Sequence, residues 1–360
     1  MSEVRAGAKV GIYWYDVSRK RWRRAVTVST AANGRYAHNQ RVGHAGTIAF
    51  RATLGGAPGR TGVTSSNEVR VKVLNSFVRQ AKPAATVDAL KNPIVSGSIY
   101  PARAGVAVAV QVLGADRRYR TTTTVRTNAA GSYRARLSYA NGQLRTISVR
   151  SAYRAANRAR WEISSTGNVK RVRVLNAVVT RTTSAEVAKT YRRGCPVGPS
   201  KLRTVTMNYY GFDKRMHRGV VIVRSNLTGR TSRSLAKALS AGYPIAKMRN
   251  PNAYGGNDPR QMAANNTSGF NCRKVVGNPY AQSPHSYGIA LDVNPVHNPY
   301  RDRNGKWWPS NGRRYIDRTP LKRGMLGSGS ALTKQLSREG YFWGGRWSPG
   351  RDYQHFEYRG

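Results

Sequence analysis

Two short stretches of this chain set histidine close to carboxylate: "SPHSYGIALDVNPVHNPY" at 283–300 and "DYQHFEY" at 352–358. In the first, His285 precedes Asp292 by seven positions; in the second, Asp352 precedes His355 by three. Imidazole nitrogen and carboxylate oxygen are donors that zinc accepts, and a catalytic zinc takes three protein ligands and leaves a fourth position to water. His285, Asp292 and His355 would supply that set. Asp352, one short turn from His355, is placed to take a proton from such a water, the general-base role. A plainer reading uses the same residues: a buried His–Asp hydrogen bond with no ion. The residues alone leave both open.

Such a site needs elements to hold it. "GIALDV" alternates as a strand does, so Asp292 would project from a sheet beside a histidine donated by the preceding loop. "YQHFEY" alternates too, which puts His355 on a neighbouring strand, with Glu357 on the same face to orient it. "RGVVIV" at 218–223 reads as another strand. "SRSLAKALSAGYPI" at 232–245 has helical apolar spacing, with Ser232 as N-cap and Gly242 as stop. "LTKQLSREGYF" at 332–342 predicts a second short helix. Glycine, asparagine and proline are common between these segments. The pattern predicts a loop-rich α+β domain over 181–360 with a central antiparallel sheet.

The first half reads differently, because it repeats. "AGAKVGIYWYDV" at 6–17 parallels "AGVAVAVQVLGA" at 104–115, "TAANGRY" at 30–36 parallels "TNAAGSY" at 127–133, and "NEVRVKVL" at 67–74 parallels "NVKRVRVL" at 168–175. The order is kept and the offsets are nearly constant. Each unit alternates with period two and carries glycine turns. The expectation is two tandem all-β sandwich domains of Ig-like type, at 1–78 and 94–180, joined by a linker at 79–93. They contain His38 and His44 but no catalytic constellation, and read as spacers or binding modules.

Net charge is +47 over 360 residues. It splits evenly: residues 1–180 hold 31 basic and 6 acidic residues, giving +25, and 181–360 hold 31 and 9, giving +22. A field spread over the whole surface attracts polyanions. Nucleic acid and anionic cell-wall polymers both qualify, but no recognition helix, zinc finger or aromatic-basic RNA motif is present, so no specific nucleic acid is expected. Base-composition bias would also spread charge evenly. Two cysteines, Cys195 and Cys272, form no CxxC pair, which excludes a cysteine zinc knuckle. Either they close a long loop as a disulfide, the preferred reading and one implying an oxidising compartment, or they are two separate buried thiols. No apolar run approaches the ~20 residues that span a bilayer, and "MSEVRAGAKV" has no signal-peptide core.

"SPHSYGIALDVNP" resembles the SxHxxGxAxD motif of the zinc D-alanyl-D-alanine carboxypeptidases and the related L-alanyl-D-glutamate endopeptidases of phage endolysins. "DYQHFEY" resembles their second motif, and "CPVGPSKLRTV", "AGYPIAKM", "NNTSGFNCR" and "FWGGRW" extend the likeness over roughly 190–360. The resemblance implies a zinc peptidase acting on peptidoglycan stem peptides, with His285, Asp292 and His355 as zinc ligands and Asp352 as catalytic acid. Arg273 matches the arginine before the first motif, which would hold an oxyanion or a substrate carboxylate. Ser283 matches the motif's serine, where a turn role serves equally well. His217 and His297 match no ligand position. The Cys195–Cys272 pairing would then tether the Arg273 segment to the start of the domain. A monomer in the cell wall or outside the cell is expected. The rival is a non-catalytic wall-binding or adhesion protein with a degenerate peptidase domain.

Overall fold

Period-two alternation of apolar and polar residues makes strands, and strands dominate the computed structural model, which describes residues 6–42, 45–155 and 161–360; His44 lies outside them. The chain divides into two compact units. The first comprises Met1–Ala85, Pro93–Ser138 and Ile147–Val169, the second Thr86–Asn92, Tyr139–Thr146 and Lys170–Gly360.

In the first unit, Lys9–Asp16 pairs antiparallel with Arg21–Ser29 on one side and Gly46–Leu54 on the other, and Gly46–Leu54 carries Val69–Val73. Further along, Ala107–Leu113 lies between Tyr119–Arg126 and Thr146–Tyr153, while Ile94–Tyr100 lies between Phe77–Gln80 and Ser132–Arg136. The apolar positions of the alternation are the buried ones: Val108, Val110, Val112, Tyr133, Ala135, Ile147 and Val149. Two turns fall where glycine predicts them, with Gly34 at φ +72° and Gly131 at φ +69°. Within the second unit, Thr86–Asp88 runs parallel to Lys170–Val172, and Ala89 is fully buried.

The second unit contains the elements that position the site. Strands β1 (Val178–Arg181), β2 (Leu202–Tyr210) and β3 (Met216–Arg224) form an antiparallel sheet in that order. Helix α1 (Thr228–Ser240) follows a turn earlier than Ser232 suggests. Buried Leu227 anchors its start and Thr231, Leu235, Ala238 and Leu239 face inward, while Gly242, at φ +71°, stops it as expected. Helix α2 (Asp258–Ala263), the β4–β5 hairpin (Lys274–Val275, Asn278–Gln282) and β6 (Ala290–Asp292) come next. Strands β7 (Tyr300–Arg301) and β8 (Trp307–Trp308) pair, and helix α3 (Ala331–Arg338) buries Leu332 and Leu336, four apart. Gly340 then ends the helical run, so Tyr341–Trp343 is strand β9, and β10 (His355–Tyr358) completes the set.

Among the described residues there is no single central sheet. Strands β6, β10 and β9 make a second antiparallel sheet with β10 in the middle. The segment 268–270 separates it from β3: Ser268 exchanges both backbone hydrogen bonds with Asp292, and Phe270 N donates to Ile222 O on β3 at 2.7 Å. Both sheets and both longer helices share one core, including Val205, Val221, Leu235, Leu291, Leu336 and Phe356. The two cysteines are joined as a disulfide, Cys195–Cys272. No helix among the described residues is long and apolar enough to cross a membrane.

Candidate metal centre

Each residue of the first motif has a structural job. Ser283 caps a short 3-10 turn, Pro284–Tyr287, by accepting from His285 N at 3.3 Å, and Pro284 occupies the first position, where a missing N–H costs nothing. Gly288 ends the turn at φ +68°. A Cβ there would also lie 2.9 Å from Arg224 N, the group that donates to Gly288 O. The chain then enters β6, where Ala290 is fully buried and Asp292 sits directly opposite His355 of β10. One loop and two paired strands therefore deliver three side chains to one point.

There, His285 Nε2 lies 3.1 Å from Asp292 Oδ2, and His355 Nδ1 lies 3.1 Å from Asp292 Oδ1. The two ring nitrogens are 3.2 Å apart. All three side chains are almost completely buried. The outer ring nitrogens fix the tautomers. His285 Nδ1 faces the Gly269 carbonyl at 2.6 Å, and His355 Nε2 faces Glu357 Oε2 at 3.4 Å. Both partners can only accept, so both outer nitrogens carry the proton. In neutral rings the inner nitrogens are lone pairs. Two lone pairs and a carboxylate thus converge with no hydrogen between them, an arrangement that one cation satisfies. The donor set, two nitrogens and one hard oxygen, suits zinc, and the residues fit a metal ion of that kind.

The electrostatics mark the same point as one that favours positive charge, whether a proton on His355 or a metal ion that displaces it. Burial works to raise Asp292, but His285 and His355 hold its carboxyl far below the usual carboxylate range. Burial likewise opposes charge on His355, yet Asp292 and Glu357 push it up to about 10. Asp352 behaves oppositely: burial pushes its carboxyl up to about 7, with Asp292 adding to the rise and His355 and Arg273 opposing it. Its Oδ1 is buried without a hydrogen-bond partner. A buried carboxyl with a free oxygen and a pKa raised to about 7 is equipped to accept a proton.

Arg273 borders the same cleft, as do Tyr300, Trp347 and Gln354. Its backbone N donates to Ser286 Oγ at 3.0 Å, its Nη1 donates to Lys274 O at 3.0 Å, and its Nε is buried without a partner. Arg192 Nη2 donates to Cys272 O at 2.6 Å, so the disulfide and an arginine clamp the residue before Arg273. Trp347 lies 5.3 Å from the His355 ring, whereas Trp343 is a core residue whose Nε1 donates to Tyr353 O. Two other histidines are elsewhere. His217 pairs with Asp213 at 2.9 Å on the surface, and His297 is buried between Phe212 and Tyr315.

Sequence reasoning missed Asp258 and Gln354. Asp258 is a buried partner of Arg273. Gln354 lines the cleft with a carbonyl oxygen that has no partner. Gln354 had a signal, since it lies inside "DYQHFEY"; Asp258 had none, since "NDPRQM" reads as a helix start.

A buried cluster of two histidines and one carboxylate beside a further buried acid is a set that could hold a metal ion. Residues 277–358 match the family model for D-alanyl-D-alanine carboxypeptidase of peptidase type M15, which supports a peptidase. The match takes in all three cluster residues and Asp352 and begins after Arg273. No curated protein matches the chain. Among solved structures, a tetra-tandem repeat from the extending region of a large adhesion protein aligns over 62% of this chain and 57% of its own, at 12% identity and TM-score 0.26. The chicken interferon gamma receptor alpha chain aligns over 48% of this chain and 87% of its own, at 9% identity and TM-score 0.21. The chain thus spans just over half the length of the first, and at these scores neither likeness bears on fold or activity.

Proposed function

We propose that this chain is a zinc-dependent peptidase that hydrolyses peptidoglycan stem peptides, as a carboxypeptidase or an L-alanyl-D-glutamate endopeptidase. One observation carries the reading: His285, Asp292 and His355 bring two imidazole nitrogens and a carboxylate oxygen to one buried point beside Asp352, whose Oδ1 has no partner. His285, Asp292 and His355 would hold the zinc, which when bound supplies Lewis-acid polarisation of a peptide carbonyl and of water. Asp352 takes the proton of the attacking water and returns it to the leaving amine. Arg273, which lines the cleft, offers its guanidinium to the developing oxyanion or to a substrate carboxylate. Trp347 covers one side of His355 and limits water there. The retention of all four side chains argues against a degenerate domain that only binds the wall. The first 180 residues fit two β modules, at 1–78 and 94–180, that hold the enzyme to anionic wall polymers by charge, and the disulfide fits a location outside the cell.

The test is mass spectrometry of peptidoglycan fragments after digestion. Wild-type protein cleaves within stem peptides, loses activity to a chelator and regains it with zinc. Asp352→Asn keeps one zinc per chain and loses at least ~10²-fold in rate. Normal cleavage by Asp352→Asn removes the base role, and undiminished cleavage in chelator removes the metal.

A further inference from the structure

We propose that Asp258 is a positioning residue for Arg273, holding its guanidinium in the wall of the cleft. The inference rests on the role given to Arg273 above. Asp258 Oδ2 lies 2.6 Å from Arg273 Nη2, with side chains 2% and 15% exposed. In so dry a place the attraction between the two charges is little screened.

Asp258 is itself held from three directions. It is the first residue of α2, a helix whose N-cap Asn257 accepts from Arg260 N at 2.9 Å. Its Oδ1 accepts from Gln261 Nε2 and from Asn271 Nδ2, the latter at 3.2 Å. Asn271 N in turn donates to His285 O at 3.2 Å, which ties this anchor to the turn that carries the first histidine. With Nη2 on Asp258 and Nη1 on Lys274 O, two edges of the guanidinium are occupied inside the protein. Only Nε is buried with nothing to donate to. A buried donor left bare is costly, and the hydrogen bond at Nη1 and the ion pair at Nη2 keep the group where it is. An arginine that served only to neutralise Asp258 would not leave that group unspent in the wall of a cleft.

The experiment is a double-mutant cycle on the full zinc-loaded chain with stem peptide as substrate. Asp258→Asn is expected to lower kcat/KM by ~10- to 100-fold, mostly in kcat, with zinc content unchanged. In the Arg273→Ala background the same change should cost less than about twofold. If Asp258→Asn costs as much there as in wild type, Asp258 is scaffold only and the proposal fails. If Arg273→Ala cleaves as wild type does, the arginine has no role to be positioned for, and the proposal fails while metal and base stand. A second readout needs neither turnover nor a folded variant: nitrogen-15 NMR of arginine-labelled wild-type protein. Resolved, slowly rotating Nη signals for Arg273 are expected, and averaged signals overturn the clamp. An inactive wild type with resolved Nη signals indicts the peptidase reading and leaves the pair intact.

Discussion

His285 and His355 resemble each other in sequence setting but present different nitrogens, Nε2 and Nδ1, to the same point. The difference follows from the outer partner: a backbone carbonyl for one, the Glu357 carboxylate for the other. Glu357 should therefore tune affinity. Glu357→Gln is expected to weaken zinc binding by ~10- to 100-fold in chelator competition, and unchanged affinity would deny it that role. His297 makes a separate demand. Burial, aided by Arg314, lowers it from 6.5 to about 4, so the unfolded chain binds its proton first as pH falls. Stability therefore falls progressively as pH drops from about 6.5 toward 4. Urea midpoints measured between pH 7.5 and 4.5 should fall less steeply in His297→Gln than in wild type; equal slopes refute this. The metal cluster was legible in the sequence because its residues share short motifs whose capping and turn residues are local. Asp258 was illegible because it meets Arg273 only after α2 and the 268–270 segment fold back.

That segment decides the architecture around the site. Strand patterning identified the stretches that became β3, β6 and β10, but alternation is silent about which strands pair, and one sheet was expected where two stand. The divider is glycine-dependent. A Cβ on Gly269 would lie 2.2 Å from Ile222 O, and Gly269 O is also the acceptor that sets the His285 tautomer. Gly269→Ala should thus cost about 1–3 kcal/mol in stability and weaken zinc binding as well. Calorimetry and metal titration check both halves, and a variant with wild-type Tm would show that the strand gives way. Helix boundaries were the other shortfall. Ser232 is a good capping type, yet burial of Leu227 starts α1 a turn sooner, because packing outweighs a single cap.

Over the whole molecule, +47 is divided almost evenly between the two halves of the sequence. Binding to purified walls should weaken several-fold between ~0.05 and ~0.3 M salt, since exposed charges are screened beyond a shorter Debye length. Salt-insensitive binding would assign retention to specific contacts instead. Connectivity has its own result. The middle strand of the β6–β10–β9 sheet comes last in sequence, and it carries the third ligand. A nascent chain that has emerged only to residue 350 holds two flanking strands with a gap between them, and two of the three side chains of the cluster. Closure of the sheet and completion of the cluster are then one event, made by the same strand.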